Sequence, residues 1–190
     1  MNRLPPLPPD RLDADALALY EKIIAGPRGR SMLDGQGALI GPFNAMLLSP
    51  PVGEALQELG AAIRYRSRLG DRAREIAILV VAGHQDSAFE QGVHEPIARG
   101  LGLTDAQLHA LRTGAPLHLD DPEEAAVLRV ARALVTRGEL NDEEYAQLEP
   151  GVLVELTTLV GYYGTLALQL RVFATPPAGR KETSGGVADG

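Results

Sequence analysis

Residues 71–84, DRAREIAILVVAGH, hold the decision about the fold. From Ile76 to Ala82 every side chain is apolar, so the run has no face suited to water. Such a run fits a fully buried strand or the most buried helix of a bundle. No other segment reads as a strand that could pair with it, so the helix is the consistent choice. Asp71 has the chemistry of an N-cap, and the helix is expected from Arg72 to about Gly83.

Working outward, the same helical period recurs on both sides. A second helix is expected from about Ser87 to Ala98, ended by Gly100 and Gly102. Thr104 to Gln107 has a capping-box pattern and opens a helix to Leu111. Asp121–Pro122 starts another that runs to about Arg137, and Asn141 to Glu144 opens a short one. Pro150 to about Val172 is the last, with Leu153, Leu156, Leu159, Val160, Tyr163, Leu166 and Leu170 in phase. Upstream, Leu56, Leu59, Ile63 and Tyr65 make a helical stripe between Val52 and Leu69–Gly70. Pro42 to Leu48 reads as a short helix broken by Pro50–Pro51, and Leu12 to Ala25 as a helix ended by Gly26–Pro27. Residues 27–38 read as a loop and residues 1–10 as an extended arm. The expectation is an all-α fold in a single domain over 1–175, with a disordered tail over 176–190.

Composition narrows the chemistry. The chain has 190 residues, 45% of them hydrophobic, enough to bury a sizeable core. Its net charge of −7 disfavours non-specific contact with nucleic acid or anionic membrane. No stretch reads as long and apolar enough to cross a bilayer and the N-terminus lacks an apolar signal core, so a cytoplasmic location is expected. There is no cysteine. Thiolate nucleophiles, disulfides and cysteine-bound metals are therefore excluded.

The residues that can carry chemistry cluster in 74–98. Glu90 and His94 are spaced i, i+4 and share a helix face. A carboxylate beside an imidazole orients its tautomer and raises its pKa, which suits proton transfer near neutral pH. Ser87 lies one turn back on that face. The same residues also read structurally: Ser87-x-x-Glu90 is a capping box, and a Glu–His pair is often a solvated helix surface.

The segment REIAILVVAGHQDSAFEQGVHEPIA (74–98) resembles the signature region of the carboxymuconolactone decarboxylase family, which also contains the alkylhydroperoxidase D-like proteins. The resemblance extends to GPFNAMLLSPPVGEALQELG (41–60) and LVGYYGTLALQLRVF (159–173), about residues 36–175 in all. It implies an all-α oligomer, a trimer or hexamer, and an enzyme acting on a small molecule without a cofactor. The peroxidase-like branch carries Glu, then Cys-x-x-Cys, then His; the matching positions here are Glu75, Ser87, Glu90 and His94. With both thiols gone, the resemblance points to the decarboxylase-like branch and to the breakdown of aromatic compounds. It implies His94 as proton donor and Glu90 as its orienting group, with Glu75 completing a relay or supporting His94 from the neighbouring helix. By their place in the matching motifs, Arg74, Ser87, His84, Tyr162 and Tyr163 are candidates for substrate contact, Arg74 for a carboxylate. Many of these relatives carry Trp where Gln85 stands here.

Two other readings remain. Glu75, Glu90 and His94, with His84 nearby, are ligand types for a divalent metal, though no tight ligand spacing supports a metal site. A non-enzymatic helical oligomer that binds a small ligand or a protein partner would also fit the sequence.

Overall fold

The computed structural model describes residues 3–177. Its helices are α1 (Ala14–Ala25), α2 (Pro42–Met46), α3 (Pro50–Tyr65), α4 (Asp71–His84), α5 (Ala88–Gly100), α6 (Asp105–Thr113), α7 (Pro122–Arg137), α8 (Asp142–Tyr145) and α9 (Pro150–Val172). Short 3-10 turns occur at Pro9–Arg11 and Gly29–Met32. Among the described residues the sole β-type pairing is an isolated bridge between Leu33 and Leu39. The expected tail falls largely on residues 178–190, outside the described residues.

The apolar run that opened the sequence is helical, and it is the axis of the fold. Ile76, Ala77 and Ile78 of α4 have no solvent exposure. Helices α5, α6, α7 and α9 all pack against α4, so its apolar side chains meet protein in every direction. Val127, Val130 and Ala131 of α7 and Leu156 and Leu159 of α9 are equally buried. Each such Ile, Leu or Val side chain contributes about 1.5–3 kcal/mol by leaving water.

Helix boundaries follow local chemistry. The Asp121 carboxylate accepts from the Glu124 N–H at 2.9 Å and caps α7. Thr104 with Gln107, and Asn141 with Glu144, form reciprocal capping boxes at α6 and α8. Three expectations are corrected. Gly70, not Asp71, is the N-cap of α4, and Asp71 sits in the first turn, where its charge complements the helix dipole. Pro50 and Pro51 open α3 rather than only ending α2, because a first-turn proline lacks an N–H that would go unpaired anyway. Ser87 is the N-cap of α5, but its side chain makes no capping bond, so the expected Ser87–Glu90 box does not form.

A fourth correction concerns α9. By length and composition alone this 23-residue helix is long and apolar enough to cross a membrane, with an 18-residue stretch of mean hydropathy 1.3. Threonines and glycines carry no charge, so the helix passes that test without a continuous run of large apolar side chains. In this fold Leu153, Leu156, Leu159, Tyr162, Tyr163, Leu166 and Leu170 face the core.

The N-terminal arm is tied down. Asn44 of α2 accepts from the Leu7 N–H at 3.0 Å and donates to the Pro5 carbonyl at 3.1 Å.

Candidate active site

Helices α4 and α5 are joined by the turn Gln85–Ser87, in which Asp86 adopts φ 49°. Asp tolerates this left-handed region better than most residues. The turn lays α5 beside α4 and brings Glu75 against His94. His94 Nδ1 lies 2.6 Å from Glu75 Oε2. Its other nitrogen, Nε2, lies 3.4 Å from Glu90 Oε2. Arg64 of α3 completes the line by donating from Nη1 to Glu75 Oε1 at 3.3 Å. The order is Arg64, Glu75, His94, Glu90.

All three central groups are buried, Glu75 at 0% exposure, Glu90 at 3% and His94 at 5%. Burial opposes the imidazolium, yet the hydrogen bonds and charges of Glu75 and Glu90 outweigh it and raise the His94 pKa above its ordinary 6.5. The two carboxylates thus strengthen the hold of the imidazole on its proton. Glu90 Oε1 is buried and has no hydrogen-bond partner. An orphan acceptor of this kind costs about 1–3 kcal/mol, and such a group in a cavity wall is suited to receive a donor from a ligand.

Two tyrosines of α9 form the adjoining wall. The Tyr163 ring meets His94 edge-on at 5.3 Å, and Tyr162 meets Tyr163 at 5.2 Å. Burial pushes the Tyr162 pKa up to about 12 and raises that of Tyr163 as well. Both stay neutral phenols that can donate.

These groups border a cavity of about 240 Å³. Glu90, His94, Tyr162 and Tyr163 line it, with Arg28 and Arg64 as its cations and Met32, Phe43, Phe89 and Ile97 among its apolar walls. Phe89 is seated on Gly41: a Cβ there would lie 2.1 Å from the ring, and the glycine has φ 60°. The volume is below the roughly 300–1,000 Å³ of pockets for drug-sized ligands, so the space suits a small molecule.

The sequence-predicted residues divide into two groups. The structure brings Glu75, Glu90, His94, Tyr162 and Tyr163 together at or beside the cavity. Three candidates are placed elsewhere. Arg74 is buried and donates to Asp71 at 2.7 Å, away from the cavity lining. The periodicity of α4 explains this: Arg74 is one residue from Glu75 and so faces about 100° away. Ser87 is buried at the start of α5 and does not line the cavity. His84, at the end of α4, borders a different hollow of about 480 Å³ with Arg112, Arg129 and Arg132. The cations that do line the cavity, Arg28 and Arg64, come from the segment after α1 and from α3. Arg64 stood in the sequence as one of several basic residues, and Arg28 lay in a segment read only as loop. Neither has a spacing signal toward His94, because tertiary packing alone unites them.

A metal site of the expected ligand set is not formed. His94 spends its two nitrogens on the two carboxylates, so neither is free for an ion that both acids also reach. Among the described residues no group of three or more His, Asp or Glu could hold a metal.

The fold is that of solved helical proteins with an alkylhydroperoxidase AhpD core. Residues 50–133 match the model of the carboxymuconolactone decarboxylase family, and this stretch carries Arg64, Glu75, Glu90 and His94. No curated protein matches the chain. Solved structures show the same fold at low identity. An uncharacterized peroxidase-related protein with an alkylhydroperoxidase AhpD core from Ralstonia eutropha aligns with TM-score 0.71, 11% identity and 93% coverage of each chain. An uncharacterized peroxidase-related protein from a Silicibacter species aligns with TM-score 0.69 and 13% identity, covering 94% of this chain and 93% of the other. The debrominase Bmp8, solved in complex with tribromopyrrole, aligns with TM-score 0.67 and 14% identity, covering 91% of this chain and 90% of that one.

Proposed function

We propose that this chain is a cofactor-independent, carboxymuconolactone decarboxylase-like enzyme that uses a Glu–His proton shuttle on a small carboxylated or lactone substrate. The carrying observation is the buried line Glu75–His94–Glu90 at the wall of a small cavity, with the pKa of the imidazole raised by its two carboxylates. A thiol peroxidase reaction is unavailable, since the chain has no cysteine. The peroxidase-related neighbours therefore share its fold without lending it their chemistry.

The reaction runs as follows. A substrate carboxylate leaves as CO₂, and the electron pair of the broken C–C bond moves through a conjugated double bond into the lactone carbonyl. The resulting enolate oxygen needs donors, and the neutral phenols of Tyr162 and Tyr163 are in the wall. His94 then delivers its proton to the carbon beside the carbonyl, and solvent restores it. Glu75 sets the imidazole's orientation through Nδ1, as a carboxylate does for a catalytic histidine generally. Glu90 faces Nε2 and can pass the replacement proton, so the roles that the resemblance implies for the two carboxylates are exchanged.

The test is CO₂ release from 4-carboxymuconolactone by the purified protein, with His94→Gln alongside. Release that disappears in the variant supports the reading. A wild-type protein that releases no CO₂ above the variant sinks the namesake activity.

A further inference from the structure

The cavity lined by Glu90 and His94 also carries the opposite charge. The Arg28 guanidinium lines the cavity and stands over the Phe43 ring, with its Cζ 5.1 Å from the centroid. Stacking of this kind fixes the plane of the guanidinium without neutralising it. Among the described residues no carboxylate lies within ion-pair distance of Arg28. Arg64 differs, because Glu75 already engages it.

Gly60 of α3 makes room for this arrangement. The point where a Cβ on Gly60 would sit is 2.1 Å from Tyr162 Oη and 2.9 Å from Arg28 Nη2. The phenol and the guanidinium thus converge on a single bare patch of backbone. A planar cation and a neutral hydroxyl donor side by side make a receptor for a carboxylate. In the same lining, Glu90 Oε1 is buried without a partner, an acceptor with no donor supplied by the protein.

We infer that Arg28, assisted by Tyr162, anchors a carboxylate that the substrate keeps, and so orients a small anionic lactone with its reacting carbon toward His94. This rests on the function proposed above and adds the group that orients the substrate, which is held as the anion and not as the neutral ester. Arg28 is a positioning residue under this reading, because proton delivery stays with His94.

The probe is muconolactone, which has the lactone ring and a side-chain carboxylate but lacks the ring carboxylate that would leave. Its binding, and that of its methyl ester, is measured by calorimetry on the whole protein. Wild type is expected to bind the acid at least about tenfold more tightly than the ester, as a charge-assisted hydrogen bond implies. Arg28→Gln should erase that preference, Arg28→Lys should restore part of it, and all should share the wild-type circular dichroism. Equal affinity of wild type for acid and ester, a preference that survives in Arg28→Gln, or binding of neither probe would overturn the inference. The two proposals separate cleanly. If wild type prefers the acid but releases no CO₂ from 4-carboxymuconolactone, the anion site stands and the decarboxylase reading falls. If CO₂ is released and KM is unchanged in Arg28→Gln, the decarboxylase reading stands and the anchor falls.

Discussion

His94 lies buried between two carboxylates that raise its pKa, and each partner is expected to have a separable effect. Glu75 makes the short bond at 2.6 Å and is fully buried, whereas Glu90 is farther away at 3.4 Å. Removing the Glu75 charge therefore takes away the stronger support for the imidazolium, while burial continues to oppose it. Glu75→Gln should move the alkaline limb of a pH–rate profile to lower pH, since the proton donor is lost earlier. A limb that stays in place would show that Glu75 does not set the His94 proton affinity. His94→Gln keeps the size and the hydrogen-bonding character of the ring but cannot deliver a proton. Loss of general acid catalysis costs about 10²–10⁴ in rate, so kcat for CO₂ release should fall by that order. A variant with near wild-type kcat would remove His94 from the mechanism.

At the scale of the element, glycines in helices play opposite roles that one substitution can distinguish. Gly60 of α3 has Tyr162 Oη 2.1 Å from its would-be Cβ, and Gly161 of α9 has nothing within 4 Å. Gly60→Ala forces Tyr162 or Arg28 to move, an overpacking cost of about 1–3 kcal/mol. Gly161→Ala removes an entropic cost at a solvent-facing helix position and should stabilise by about 0.5–1 kcal/mol. Thermal melts of the two variants should therefore shift in opposite directions. A Gly60→Ala protein as stable as wild type would mean that the α3–α9 approach is looser than the structure shows. Helices of this kind were largely legible in the sequence. Pro150 and Val172 bound α9 as periodicity expects, and the Thr104 and Asn141 capping boxes form. Legibility ends where a contact depends on which elements meet. Glu90 and His94 are visible as an i, i+4 pair, but the shorter bond joins His94 to Glu75, which is distant in sequence and reached only through the α4–α5 turn. Arg74 precedes Glu75 directly and so points away from it, while Arg28 and Arg64 reach the cavity without any local pattern. A capping box at Ser87 was equally plausible from spacing, and its absence leaves Glu90 Oε1 unpartnered within the wall.

At the scale of the whole molecule, the buried charges couple folding to pH. The folded-state pKa of His94 is raised above its ordinary 6.5. A histidine that binds its proton more tightly when folded stabilises the fold fully below the unfolded-state pKa. That contribution is lost as pH rises from about the unfolded value through the folded one. Urea unfolding measured across this window should thus show a decline in stability with rising pH, traceable to this residue. The same structural fact sets the comparison: Glu75 has no exposure and loses its imidazolium partner when His94 deprotonates, so the buried carboxylate is left to Arg64 alone. His94→Gln should be less stable than wild type at low pH and should flatten the slope, because glutamine cannot titrate. Breaking one side of a buried pair typically costs about 3–5 kcal/mol, and the share remaining through Arg64 places the expected loss at the low end of that range. If the variant keeps the wild-type slope, the pH dependence belongs to other groups, and the buried Arg64–Glu75–His94–Glu90 line does not couple protonation to folding.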